Sequence, residues 1–289
     1  MVTQQLGLEG MPRRLFSCTP SKLASFEDCP RRYRYAYRDR PAPPKGAPWA
    51  HNSLGAAVHN ALRAWWDLPL RRRTQDAAAP LVKAAWIGDG FRDAAQQKAV
   101  RDRATGWVAA YLAVLDPLRE PIGVERVVAT RTDRLALSGR VDRLDDRDGE
   151  LVVVDYKTGR SRLSLDDARG SRALALYALA VSRTMRRPCR RVELHHLPTG
   201  TVHSVVHDEG TLARHLARAT AIADDIEQAT GGAGGGVPGG PGSTSDEQYP
   251  VRTGPHCSWC DFRRHCPPGR AAAPDKEPWA GLAGSDTDG

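Results

Sequence analysis

The segment from Gly139 to Gly159, GRVDRLDDRDGELVVVDYKTG, constrains this chain more than any other. Asp148-Gly149 is a two-residue hairpin signal between two runs of strand-forming residues. With those residues at the turn, Asp142 lies opposite Asp155. Side chains alternate along a strand, so Lys157 projects from the same face as Asp155. Carboxylates directly opposite each other in a sheet repel. A fold that builds such a cluster needs a compensating cation, and a divalent metal is the obvious one. A longer acidic turn that includes Asp145 and Asp146 is the competing register.

Residue usage sharpens the reading of Lys157. Of 42 Lys plus Arg, only Lys22, Lys45, Lys83, Lys98, Lys157 and Lys276 are lysine. A chain so biased toward Arg keeps Lys where a guanidinium cannot serve. A compact ammonium can sit beside a metal-bound water, which a planar delocalised cation does poorly.

At 289 residues the chain can bury one large core or two small ones. A hydrophobic content of 40% and a mean hydropathy of -0.49 describe a globular protein with some disordered sequence. No apolar run is long enough to span a bilayer, and the first twenty residues lack the apolar core of a signal peptide, so no membrane association and a cytoplasmic location are expected. A net charge of +8 favours a polyanionic partner. The arginines cluster at Arg31–Arg40, Arg71–Arg73 and Arg186–Arg191.

Along the chain, residues 1–15 read as a flexible N-terminus. Ser21 can cap a short helix, and Pro30 fits the first turn of another running through Tyr33 and Tyr37. After a Pro-rich loop over 41–50, Asn52 or Ser53 opens a helix with the apolar stripe Leu54, Val58, Ala61, Leu62 and Trp65. Helical pattern covers 76–87 and 91–115. Strands are expected near 123–130, 133–144 and 150–157, then a buried helix from Leu174 to Met185. A hairpin closed at Thr199-Gly200 and a helix over 209–228 follow. The order describes one α/β domain over 16–229, a Gly/Pro-rich linker over 230–248, a cysteine segment over 249–270 and a disordered tail over 271–289.

The helix with the Leu54 stripe carries Gly55 and His59 one turn apart on a neighbouring face. Gly in a helix interior costs about 1 kcal/mol relative to Ala, so close backbone approach is expected there. His59 is a candidate metal ligand. Gly55…His59, Gly139…Asp142, Asp155-Tyr156-Lys157-Thr158-Gly159 and Tyr177, in that order, resemble the motifs of the RecB-like branch of the PD-(D/E)XK nucleases over roughly residues 20–267. The resemblance implies an α/β restriction-endonuclease-like core, a mixed central sheet flanked by helices. It implies Mg2+ or Mn2+ held by His59, Asp142 and Asp155, with the Tyr156 carbonyl a further candidate. It also implies catalytic roles for Asp142, Asp155, Lys157 and Tyr177. Hard carboxylates suit Mg2+, and one imidazole makes Mn2+ well tolerated. Glu125 stands where relatives often carry an accessory Glu. Where the family has Gln four residues before the motif Tyr, this chain has Ala173.

Six cysteines are present: Cys18, Cys29, Cys189, Cys257, Cys260 and Cys266. Cys257-x2-Cys260-x5-Cys266 is metal-ligand spacing, and Cys29 is the best fourth member. The set resembles the iron–sulfur staple of AddB-type nucleases, which implies a 4Fe-4S cluster joining the N- and C-terminal segments. Zinc is the alternative, since four thiolates suit it and His256 or His265 could replace one. Cys18 and Cys189 read as ordinary thiols.

The expected function is therefore a metal-dependent DNA nuclease, an exonuclease in repair, recombination or defence, acting on single strands or duplex ends. The alternative is a catalytically weak DNA-binding iron–sulfur subunit of a helicase–nuclease complex. The chain has no G-x-x-x-x-G-K-[ST] phosphate loop, so any helicase would be a separate partner. A zinc-stapled RNA or protein interaction module leaves the Asp-Lys hairpin unexplained.

Overall fold

A computed structural model describes residues 15–231 and 246–282. Its centre is the expected hairpin. Asp148 and Gly149 both have positive φ, 53° and 94°, as a two-residue turn matched to strand twist requires. Strands β3 (Leu135–Arg147) and β4 (Glu150–Lys157) pair antiparallel from Arg147–Glu150 up to Arg143–Val154, the register that the turn dictates. Asp145 and Asp146 are thus strand residues, and the longer acidic turn is excluded.

β3 is the spine of a six-stranded mixed sheet. One edge pairs antiparallel with β2 (Gly123–Arg131). Its other edge takes β1 (Phe16–Cys18) in parallel near its start and β4 near its end. β4 then pairs in parallel with β5 (Cys189–His196), and β5 antiparallel with β6 (Thr201–Val206). β1 was not foreseen from the sequence. Three residues are too few to show a period, and its partner lies more than a hundred positions away.

Helices cover both faces. Over one lie α3 (Ala50–Trp66), α4 (Ala78–Ala85) and α5 (Ala94–Ala113), whose Leu54, Val58, Leu62, Trp65, Val82 and Val108 pack on Val152, Val154 and Tyr156. Over the other lies α7 (Arg172–Met185), packed on Leu144, Leu151 and Val153. α1 (Pro20–Asp28) and α8 (Glu209–Ala229) extend that side through Leu23, Phe26, Ile222 and Ile226. A short helix α6 (Leu165–Gly170), unforeseen, is closed by a capping box between Ser164 and Asp167.

Several boundaries differ from the sequence reading. Thr19, not Ser21, caps α1, its hydroxyl accepting from the Lys22 N–H. α2 (Pro30–Tyr37) starts at Pro30 as expected. α3 begins at Ala50, ahead of Asn52 and Ser53, with no side-chain cap on Trp49. The Ala50 N–H is instead bonded to the Pro278 carbonyl, 3.0 Å away. Residues 271–282, expected to be disordered, therefore lie against the fold, and Leu282 is buried in the α3 cluster. The rest of that tail, most of the N-terminus and most of the linker lie outside the described residues.

Candidate functional site

Regular strand alternation breaks at Asp142. Val141 and Leu144 both enter the cluster under α7, while Arg143 between them is buried beside Tyr111 and Tyr156 on the opposite side. Past Arg143–Val154 the β3–β4 backbone ladder stops, and the Asp142 side chain takes over. Its Oδ2 accepts the Tyr156 N–H at 2.8 Å. On the other edge of β3, the β2 register runs Val124–Arg143 and Arg126–Val141, which places Glu125 across from Asp142. Glu125 has φ 49°, a left-handed conformation uncommon for a residue that is not Gly, Asn or Asp, and such outliers gather at functional sites.

α3 brings His59 to the same point. Its Nδ1 lies 3.3 Å from Asp142 Oδ1 and 4.0 Å from Glu125 Oε1, and its Nε2 lies 3.1 Å from the Tyr156 carbonyl. His59, Glu125 and Asp142 each offer a ligand atom, all within 4.8 Å of one another. Gly55 is explained here: a Cβ would sit 3.3 Å from Thr158 Oγ1, just past β4, so the missing side chain lets α3 close on the strand end. The other oxygen of Glu125 is held by Arg140 Nε at 2.7 Å.

Asp155 and Lys157 form an ion pair on β4, the carboxylate well covered and the ammonium 46% exposed. Burial pushes the Asp155 pKa up and the neighbouring Asp142 adds to that, against the opposing pull of Lys157 and His59. Burial disfavours the charged form of His59. The hydrogen bond to Asp142 and the carboxylates of Asp142, Asp155 and Glu125 outweigh it, so its pKa is raised. One site thus holds three crowded carboxylates and answers them with His59, Lys157 and Arg140. Two carboxylate oxygens and one imidazole nitrogen converging within 4.8 Å are a donor set that fits a hard divalent cation.

Tyr177 lies on α7 with its ring over β3 at Gly139, and its pKa is pushed up to about 12, by burial first and then by Asp155 and Asp142. The expected residues His59, Asp142, Asp155, Tyr156, Lys157 and Tyr177 therefore converge at one end of the β3–β4 hairpin. Asp155 differs from expectation in being paired with Lys157, while Glu125, treated as accessory, stands with His59 and Asp142. The signal for Glu125 was its position opposite Asp142, which needs the β2–β3 register.

The four staple cysteines also converge. Cys29, between α1 and α2, lines one pocket with Cys257, Cys260 and Cys266, beside Tyr35 and Val251. Gly269 packs close against two of these thiols: a Cβ there would lie 3.2 Å from Cys266 Sγ and 3.6 Å from Cys257 Sγ. His265 turns its Nε2 to the Pro44 carbonyl and His256 to the Arg252 carbonyl, at 3.1 and 3.0 Å. His256 also lines this pocket beside the four thiols. Cys18 and Cys189 are buried elsewhere in apolar clusters, and burial pushes their thiols up to about 11 and about 12.

The C-terminal segment has further anchors. Tyr249 is fully buried and stacked on Tyr33, and Arg31 bonds the Tyr249 carbonyl and pairs with Asp246.

Residues 17–267 match the PD-(D/E)XK nuclease superfamily. The chain belongs to that superfamily. It is also similar to two solved structures, each matching most of both chains. SSO0001 is 13% identical with a TM-score of 0.38, covering 88% of this chain and 86% of its own. A provisionally assigned exonuclease from Eubacterium rectale is 11% identical with a TM-score of 0.43, covering 78% and 85%. No curated protein matches the chain. Among the described residues, no helix is long and apolar enough to cross a membrane.

Proposed function

We propose that this superfamily member is a Mg2+- or Mn2+-dependent deoxyribonuclease, working as an exonuclease on single strands or duplex ends. The observation that carries the reading is the convergence of His59, Glu125 and Asp142 beside the Asp155–Lys157 pair. His59 Nδ1, Asp142 and Glu125 would hold the metal, with Asp155 next to them. The Tyr156 carbonyl, bonded to His59 Nε2, orients the imidazole rather than serving as a ligand. Such a metal lowers the pKa of bound water and stabilises charge on the scissile phosphate. Lys157, anchored by Asp155 yet half exposed, is placed to orient the attacking water and to contact the phosphate. Tyr177, close enough to feel Asp155 and Asp142, would support the site from α7. A net charge of +8 suits a polyanionic substrate.

Cys29, Cys257, Cys260 and Cys266 would hold a 4Fe-4S cluster, which supplies a cross-link between the N-terminal helices and the C-terminal segment. Its role in this reading is structural.

The test is cleavage of end-labelled single- and double-stranded DNA with Mg2+ or Mn2+, comparing the parent with Lys157→Ala and Lys157→Arg. Both variants should lose at least a hundredfold in rate, roughly the scale of a positioned acid–base or water-orienting group. The Arg variant should fare no better, because a planar guanidinium cannot occupy the ammonium's position. Metal-dependent cleavage at the parent rate by Lys157→Ala would refute the assignment.

A further inference from the structure

Behind the site, on the α5 side of the sheet, six side chains close a ring of hydrogen bonds. Arg143 donates to the Tyr111 hydroxyl at 3.1 Å, and that hydroxyl meets His195 Nδ1 at 2.7 Å. His195 Nε2 donates to Glu193 Oε2 at 2.9 Å. Arg147 bridges Glu193 and Asp145 through bonds of 2.9 Å. Asp145 accepts from Arg143 Nη2 at 3.0 Å, while Arg143 Nε meets its other oxygen at 2.9 Å as an ion pair without hydrogen-bond geometry. Two cations and two anions balance, and with His195 neutral the Tyr111 hydroxyl donates to its Nδ1. Burial does hold its pKa low.

Tyr156 joins this ring to the candidate metal centre. Its hydroxyl accepts from Arg143 at 3.3 Å, while its own backbone touches two of the site residues. The Tyr156 carbonyl faces His59 Nε2, and its N–H donates to Asp142. Arg143 in turn is the chain neighbour of Asp142, at the point where strand alternation breaks. A buried guanidinium, with 4% of its side chain exposed, is costly to place without a charged partner, which Asp145 supplies. Once satisfied, such a network locks a single arrangement.

We propose that Arg143 and Tyr156 are positioning residues for the metal centre: the buried ring holds the Tyr156 backbone so that His59 presents Nδ1 and Asp142 presents Oδ1 at a fixed separation. This rests on reading His59, Glu125 and Asp142 as metal ligands. Neither the guanidinium nor the phenol would touch metal or DNA; both act through Tyr156.

Mn2+ titration by calorimetry on Tyr156→Phe and Arg143→Met, together with metal-free melting curves, tests it. Tyr156→Phe removes one oxygen from a packed ring and should melt close to the parent. Its Mn2+ Kd should nevertheless rise on the order of tenfold, the usual scale for residues that orient metal ligands, and Arg143→Met should weaken binding at least as much. A merely structural ring would lower the melting temperature and leave the Kd of the folded variants alone. If the parent binds Mn2+ and Tyr156→Phe binds it equally well, the positioning role is refuted while the nuclease reading stands. If the parent binds no Mn2+, both fall.

Discussion

Replacing Gly139 with alanine should destabilise the protein, and the cause should be a single ring. A Cβ at Gly139 would fall 2.3 Å from Tyr177 Cε1 and 3.1 Å from Cδ1. Carbon atoms in contact sit about 3.5–4.0 Å apart, so the methyl would overlap the ring by more than about 1 Å. Overpacking of this kind costs about 1–3 kcal/mol. A domain of this size loses about 2–4 °C per kcal/mol, so the metal-free melting temperature should drop by about 2–12 °C. The opposing effect is known in sign: Gly in a strand interior is entropically poor, and Ala alone would stabilise by up to about 1 kcal/mol. Circular dichroism melts of Gly139→Ala in the parent and in a Tyr177→Leu background separate the two. In the Leu background the Cε1 clash is gone, and the substitution should become neutral or favourable, a coupling of at least about 1 kcal/mol. Equal losses in both backgrounds, or a parent-background variant as stable as the parent, would refute the contact.

Acid should weaken the metal-free protein in two stages. Burial lowers the pKa of His195 and of His207, which is also lowered by His215, so their contribution is full above the unfolded value of 6.5 and fades as pH falls below it. Glu193, which burial would raise but His195 and Arg147 hold down at about 2, contributes above the unfolded value of 4.5 and loses that contribution as pH falls toward 2. His59, whose pKa burial would lower but Asp142 raises, works in the opposite sense, gaining stability as pH falls. The melts are therefore run on His59→Gln from pH 8 to pH 3. Its melting temperature should decline as pH falls below about 6.5, and a variant as stable at pH 5 as at pH 8 would contradict the histidine part. For the staple, protein purified without oxygen should absorb broadly in the visible, and Ser at Cys29, Cys257, Cys260 or Cys266 should bleach it, whereas Cys18→Ser and Cys189→Ser should keep the colour. Colourless protein carrying zinc and no iron would identify zinc as the occupant instead. Because Tyr249 and Arg31 also anchor the C-terminal segment, the bleached variants should stay folded.

What the chain shows on its own is whatever neighbouring residues decide together. The Asp148-Gly149 turn sets the β3–β4 register up to Arg143–Val154 because a two-residue loop leaves no freedom in pairing. The same count brings Asp142 to the end of β4 that carries Asp155 and Lys157, although the ladder stops one pair short of them. The stripe from Leu54 to Trp65 repeats at helical spacing, and all five of its residues are buried. Gly55 betrayed a close approach because a glycine inside a helix has a cost that packing must repay once the partner, Thr158, is known. Tertiary structure decided the rest. Glu125 reaches the site through the β2–β3 register and a left-handed backbone, neither of which its neighbours encode. The ring from Arg143 through Tyr111, His195, Glu193, Arg147 and Asp145 draws on three elements, and no periodicity marks which buried charges will find each other. The ordered stretch up to Leu282 reads as polar tail until the uncapped Ala50 N–H at the start of α3 and the α3 cluster give it a place to bind. Local spacing specifies an element and its faces. Which faces meet, and which charged groups share the resulting low-dielectric space, depends on contacts between residues tens to hundreds of positions apart.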